Sequence, residues 1–300
     1  MSLLDPARVL ENLRSDLPAR HHRSFVVVGS LAAAYHFRRA LASRAIRTKD
    51  ADLVVFHAGD VRACQAMAGE FLDRGWTPRE SYGSPRPRPR PLGTLPFIRL
   101  YPPGSRQYFI EFLGLPGNDP VAPKAITPVR LPSGWHGIPR FRFMGAVAHG
   151  PRRSESGLLT ATPSMMALSN LLSHRSLGMH RVSQPLGGRK VLRSSKDLGR
   201  VLAIAFLTPR EERETWAAGW RAALEAGFPR QWRGHARRCG LGLEALLRDP
   251  AGFREAHHAA TFGLLAGLGA TEDALRGAAE QLLADVLVPL REQAGAAWER

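Results

Sequence analysis

Two aspartates separated by one residue open the segment Asp50-Ala51-Asp52-Leu53-Val54-Val55. The apolar, β-branched run that follows them predicts a strand, and alternate side chains of a strand share a face. Asp50 and Asp52 then point the same way, about 7 Å apart by the pleat, with Ala51 opposite. Paired carboxylates at the head of an apolar strand repel one another and resist desolvation. A divalent cation relieves both costs, and oxygen ligands of this kind suit Mg²⁺. The plainer alternative has Asp50 ending a loop and only Asp52 entering the strand. A third acid, Glu111, stands alone within Tyr108-Phe109-Ile110-Glu111-Phe112-Leu113. Burying it requires a partner, either a shared metal ion or one of the nearby arginines. Gly29-Ser30 separates the run Phe25-Val26-Val27-Val28 from a helical stretch. A glycine there lets the backbone approach a ligand, and free N–H groups with the Ser30 hydroxyl would face a triphosphate. An ordinary tight turn is the alternative.

The elements that must hold these residues read as mixed α/β over residues 1–150. Pro6 opens an amphipathic helix to about Leu17, with Leu10, Leu13 and Leu17 on one stripe. Helices are expected at Leu31 to Ala42 and Asp60 to Arg74. Phe97 to Tyr101 and Tyr108 to Leu113 read as two strands joined through Pro102-Pro103-Gly104-Ser105, a hairpin with a longer loop. The alternating Pro and Arg of Ser84 to Pro91 predicts an extended loop outside any sheet or helix. Gly150-Pro151-Arg152-Arg153-Ser154 has the composition of a linker. Beyond it the pattern becomes helical, with Thr162-Pro163 opening a helix to about His174 and another expected from Ser195 to Leu207. Leu/Ala stripes continue to the end, clearest at 240–248 and 271–297. The adjacent pairs His21-His22 and His257-His258 read as surface residues, because neighbours on a regular element cannot both face one metal.

Charge narrows the partners. The 300 residues carry 42 basic and 26 acidic side chains, a net +16. Residues 1–208 hold 30 of the basic and 13 of the acidic residues. Such placement fits a surface that meets RNA, DNA or nucleotide phosphates. Only Lys49, Lys124, Lys190 and Lys196 are lysines. A GC-rich genome explains arginine over lysine, but not the shortage of acids. No apolar run approaches the roughly 18 residues of a membrane span, and the start shows no signal-peptide pattern. Cys64 and Cys239 stand alone, which fits a reducing cytoplasm.

The order Gly29-Ser30, helix, Arg47-Thr48-Lys49-Asp50-Ala51-Asp52-Leu53, then a later strand acid, resembles the polymerase-β-type nucleotidyltransferase superfamily. The likeness is nearest to the minimal AbiEii/MenT-type enzymes, which include toxins of toxin–antitoxin pairs. It extends to Pro163-Ser164-Met165-Met166-Ala167-Leu168-Ser169-Asn170-Leu171, then Arg175, then Lys196-Asp197-Leu198, so it covers roughly residues 20–207. The family has a lysine where Asn170 stands, and more often an aspartate where Glu111 stands. The resemblance implies an α+β fold: a small mixed-sheet nucleotidyltransferase domain over 1–155 and a helical domain over 156–300. It implies catalytic, Mg²⁺-binding residues Asp50, Asp52 and Glu111, with Gly29, Ser30, Thr48, Lys190, Lys196 and Asp197 contacting the nucleotide. It further implies an NTP as donor, RNA (a tRNA 3′ end included) or a protein hydroxyl as acceptor, and a cognate antitoxin as partner. Asn170 cannot neutralise triphosphate charge. The second expectation, from another class, is a catalytically inactive nucleotidyltransferase fold that binds nucleic acid or protein.

Overall fold

The computed structural model describes residues 3–41, 46–56, 61–79, 92–177 and 185–296. Ser84 to Pro91, expected as an extended loop, lies outside the described residues. The chain is α+β, with a mixed sheet followed by a helical region. It divides into two compact units, Met1–Tyr35 with Ala45–Thr162, and His36–Arg44 with Pro163–Arg300.

The first unit contains strands β1 (Leu3–Leu4), β2 (Phe25–Val28), β3 (Ile46–Arg47), β4 (Asp50–Val55), β5 (Thr77–Pro78) and β6 (Arg99–Tyr101). It continues with β7 (Phe109–Gly114), β8 (Lys124–Leu131), β9 (Gly134–Phe141), β10 (Arg152–Arg153) and β11 (Leu159–Thr160). Helices α1 (Pro6–Asp16), α2 (starting at Gly29 and ending at His36), α3 (Val61–Asp73) and α4 (Met144–Val147) accompany them. The main sheet runs β10-β11-β2-β4-β7-β6-β5 among the described residues, and β9 joins β7 while pairing with β8. β4 lies antiparallel to β2 and parallel to β7. β6 and β7 form the antiparallel pair expected from Phe97 to Leu113. The stretch composed like a linker forms an edge hairpin, with Arg152 opposite Thr160 and β11 parallel to β2. Backbone pairing there overrides a composition that ordinarily marks a loop.

Alternation sorts the two faces. Ile110 and Phe112 point to one side of β7, where Phe112 meets Phe71 of α3 edge-on at 6.2 Å and Phe71 meets Trp76 at 4.7 Å. The indole Nε1–H of Trp76 donates to Asp16 of α1 at 2.9 Å, so its one polar atom is satisfied within the core. α1 begins where Asp5 accepts from the backbone N–H of Ala7 and Pro6 occupies a position that needs no N–H. The opposite face of β7 carries Phe109 and Glu111.

The second unit is helical: α5 (Pro163–Leu177), α6 (Arg193–Leu207), α7 (Arg210–Glu214), α8 (Trp216–Gly227), α9 (Trp232–Arg238), α10 (Leu241–Leu247), α11 (Pro250–Phe262), α12 (Glu272–Leu282) and α13 (Val288–Ala296). α6 packs against α5, α11 and α12, with Leu198, Val201, Leu202 and Ile204 buried. A β-carbon on Gly199 would lie 2.5 Å from the Ala256 carbonyl oxygen, so this crossing depends on a residue without a side chain. Trp216, Trp220 and Trp232 are core residues. Between α12 and α13, Leu283–Leu287 widens into a π-turn just before Pro289. A proline ring clashes with the carbonyl four residues earlier, and the wider turn accommodates it without ending the helix.

The surface reading of the histidine pairs is corrected: one ring is buried and the other three bond backbone carbonyls. His21 is buried. The ring Nε2 of His22 lies 2.8 Å from the Leu17 carbonyl, that of His257 2.9 Å from Ala270, and that of His258 2.8 Å from Leu186. A carbonyl only accepts, so the proton sits on Nε2 in each bonded ring.

Candidate active site

The site is built at the start of β4. Asp50 and Asp52 are half-buried on one face while Ala51, Leu53, Val54 and Val55 are buried, so the acids occupy the accessible end of an otherwise closed strand. Asp50 therefore enters the strand together with Asp52, and the loop-ending alternative falls. Thr48, expected among the nucleotide contacts, is buried, and its hydroxyl donates to Oδ1 of Asp50 at 2.7 Å. It orients the carboxylate. Asp52 pairs across β2 with Val28, which brings it beside Gly29 at the first position of α2. Gly29 has φ +74°, and a β-carbon there would lie 2.6 Å from Oδ2 of Asp52. Gly29 thus borders Asp52, and Ser30 follows it in the first turn of α2.

Glu111 stands opposite Asp52 in the parallel β4–β7 register and so shares its face. It is buried at 8% exposure, and its carboxylate accepts from Nε of Arg99 at 2.8 Å. Arg99 is its register partner on β6. Among the described residues no group of three His, Cys, Asp or Glu side chains is arranged to hold a metal ion. Of the two partners expected for Glu111, the arginine is present, as the ion pair with Arg99. A guanidinium at this distance satisfies the buried charge and adds a directional hydrogen bond. Asp50 and Asp52 retain a donor set that fits Mg²⁺, which takes one or two protein carboxylates and completes its shell with water and phosphate oxygens.

Sequence reasoning missed the cations next to this face. The side chain of Arg99 lies over the Phe97 and Phe109 rings at 5.3 and 5.7 Å, and Arg79 lies over Phe109 at 4.4 Å. Lys124, at the start of β8, is exposed and sits over Phe97 at 4.6 Å. Desolvation lowers the Lys124 pKa, the Arg99 charge lowers it further, and Glu111 opposes both. The only signal in the sequence was alternation of arginine and aromatic residues, and its meaning depends on a register that composition does not reveal.

The remaining expected residues belong to the second unit. Asn170 turns its Nδ2 donor onto the Met166 carbonyl of its own helix at 2.7 Å. Asp197 is buried at 2% exposure and faces Arg193 one turn earlier, 3.5 Å away. Lys196 is half-buried on the same helix, and Lys190 is exposed. No helix among the described residues is long and apolar enough to cross a membrane. No family model matches the chain, and no curated protein or solved structure matches it either.

Proposed function

We propose that this protein is a Mg²⁺-dependent nucleotidyltransferase that moves a nucleotidyl group from an NTP to a hydroxyl of RNA, tRNA 3′ ends included, or of a protein. The observation that carries the reading is the same-face pair Asp50/Asp52, with Asp52 seated against the side-chain-free Gly29 at the start of α2. Asp50 and Asp52 would hold the ion. When bound, Mg²⁺ supplies charge neutralisation for the triphosphate and lowers the pKa of the attacking hydroxyl. Thr48 holds Asp50 in one orientation, and Gly29 gives Asp52 its room. The first-turn N–H groups of α2 and the Ser30 hydroxyl suit phosphate oxygens. Arg79 and Lys124 lie over Phe109 and Phe97, near the face of β7 that carries Glu111, and Glu111 keeps Arg99 in place. The family resemblance adds Lys190, Lys196 and Asp197 as nucleotide contacts and a cognate antitoxin as partner. A non-membrane, cytoplasmic protein is part of the same reading.

The decisive experiment supplies purified protein with labelled NTPs, Mg²⁺ and total cellular RNA. Label should move to RNA or to protein, and chelation or Asp52→Ala should abolish the transfer. Absence of Asp52-dependent transfer with every nucleotide and acceptor tried would sink the enzyme reading.

A second reading, an inactive fold that binds nucleic acid or protein, is favoured by two contacts. Asn170 is bonded to its own helix where the family has a lysine, and Glu111 is committed to Arg99. Asn170→Lys separates the two readings: it maintains or raises transfer in an enzyme and leaves a binding module without any.

A further inference from the structure

We propose that the second unit carries a phosphate-binding site formed by Arg189, Lys190 and Arg254 beside a pinned glycine turn. The inference reassigns Lys190 from the nucleotide contacts of the transferase reading to this cleft, and it does not depend on transfer activity. Leu186-Gly187-Gly188-Arg189 is a two-residue turn with φ +54° and +80° at its glycines, the conformation of a type I′ hairpin. The Leu186 and Arg189 backbones close it reciprocally, at 2.8 and 3.0 Å.

This turn is fastened on both sides. His258 of α11 donates Nε2–H to the Leu186 carbonyl at 2.8 Å, and its ring stacks on Phe262 at 6.0 Å. A β-carbon on Gly187 would come within 2.9 Å of the Phe262 ring, so the turn is seated closer to α11 than any side chain permits. Downstream, Val191 is buried and the Leu192 N–H donates to Glu255 at 3.1 Å. The backbone between these anchors is held while Arg189 and Lys190 remain exposed.

A cleft of about 480 Å³ lies between the turn and α11, lined by Arg189, Lys190, Val191, Arg254, Glu255 and His258. Two arginines and a lysine line it together with one carboxylate, and the backbone anchors prevent Arg189 from moving away on its turn. Among the described residues neither the Arg189 nor the Arg254 side chain has an ion-pair or hydrogen-bond partner. Holding like charges together is unfavourable until an anion joins them. Planar guanidinium forks match the oxygens of a phosphate, and lysine adds a point charge. The volume lies in the range of clefts that take a ligand the size of a nucleotide.

The phosphate can belong to a polynucleotide backbone or to a free nucleotide, and the test distinguishes them. Binding of a fluorescein-labelled single-stranded RNA dodecamer, of ATP and of inorganic pyrophosphate is measured against salt, without Mg²⁺. Wild type and Arg221→Gln, which removes an exposed arginine of α8 outside the cleft, should bind alike. Arg189→Gln/Arg254→Gln should lose at least tenfold in affinity, with a salt slope shallower by about one to two for RNA. A loss confined to RNA assigns the site to the backbone, and a loss confined to ATP and pyrophosphate assigns it to a free nucleotide. Ala251→Glu, which brings a carboxylate to the cleft wall from an exposed position, should weaken the same probe and guards against a folding defect in the double variant. Wild-type protein that binds none of the three probes overturns the proposal. So do variants that bind with wild-type affinity and salt slope.

Discussion

A β-carbon built on Gly29 would lie 2.6 Å from Oδ2 of Asp52, so the carboxylate occupies space that any other residue at position 29 would fill. The same glycine has φ +74°, in the left-handed region that costs an L-residue about 1–2 kcal/mol. Two independent constraints therefore meet at one residue, and both concern the acid pair.

Gly29→Ala should lower stability by at least that strain, about 1–2 kcal/mol, and should also push Asp52 from its position. Thermal unfolding and the transfer assay read the two effects. Transfer should fall at least tenfold at a temperature where the variant is folded. A variant with wild-type stability and transfer would show that the close approach is not needed.

The Glu111–Arg99 pair makes a second prediction. Arg99→Met leaves a buried carboxylate without its guanidinium and should cost about 2–3 kcal/mol, with Lys124 supplying part of the lost compensation. Arg99→Met/Glu111→Leu removes both charges and should recover most of the loss, as measured by urea unfolding. If Arg99→Met is neutral while Glu111→Gln abolishes transfer, Glu111 acts on substrate or metal and the ion pair is incidental.

Cys239 gives a prediction in pH. Burial pushes its thiol up to about 12 from an ordinary value near 9, opposed by the nearby Arg291 charge. A raised folded pKa means that the unfolded chain loses this proton first, so stability is fully present below pH 9 and declines as pH rises toward 12. Cys239→Ala should flatten that alkaline limb in unfolding measured from pH 8 to pH 11. Both cysteines are buried, so a thiol reagent should label neither in the native protein and both after denaturation.

Much of the candidate site was legible from local patterns. Period-two alternation placed Asp50 and Asp52 on one face, and a glycine between strand and helix marked the backbone beside them. The hairpin of β6 and β7 and the helical character after Pro163 followed from equally local signals. These features depend on residues near in sequence, where periodicity and turn chemistry carry the information.

The rest required contacts between distant residues. That Glu111 stands between Asp52 and Arg99 depends on which strands flank β7 and in what register. That Gly150 to Ser154 leads into a sheet edge depends on β2 being open to a parallel neighbour. His257 and His258 become staples because carbonyls of other segments come within reach, as Leu186 does for His258. By itself the sequence determined which residues share a face and where backbone freedom was needed, because those are properties of neighbouring dihedrals. Only the tertiary structure decided which charges are partnered, because an ion pair between strands is set by sheet order, and sheet order is a balance of burial over the whole unit.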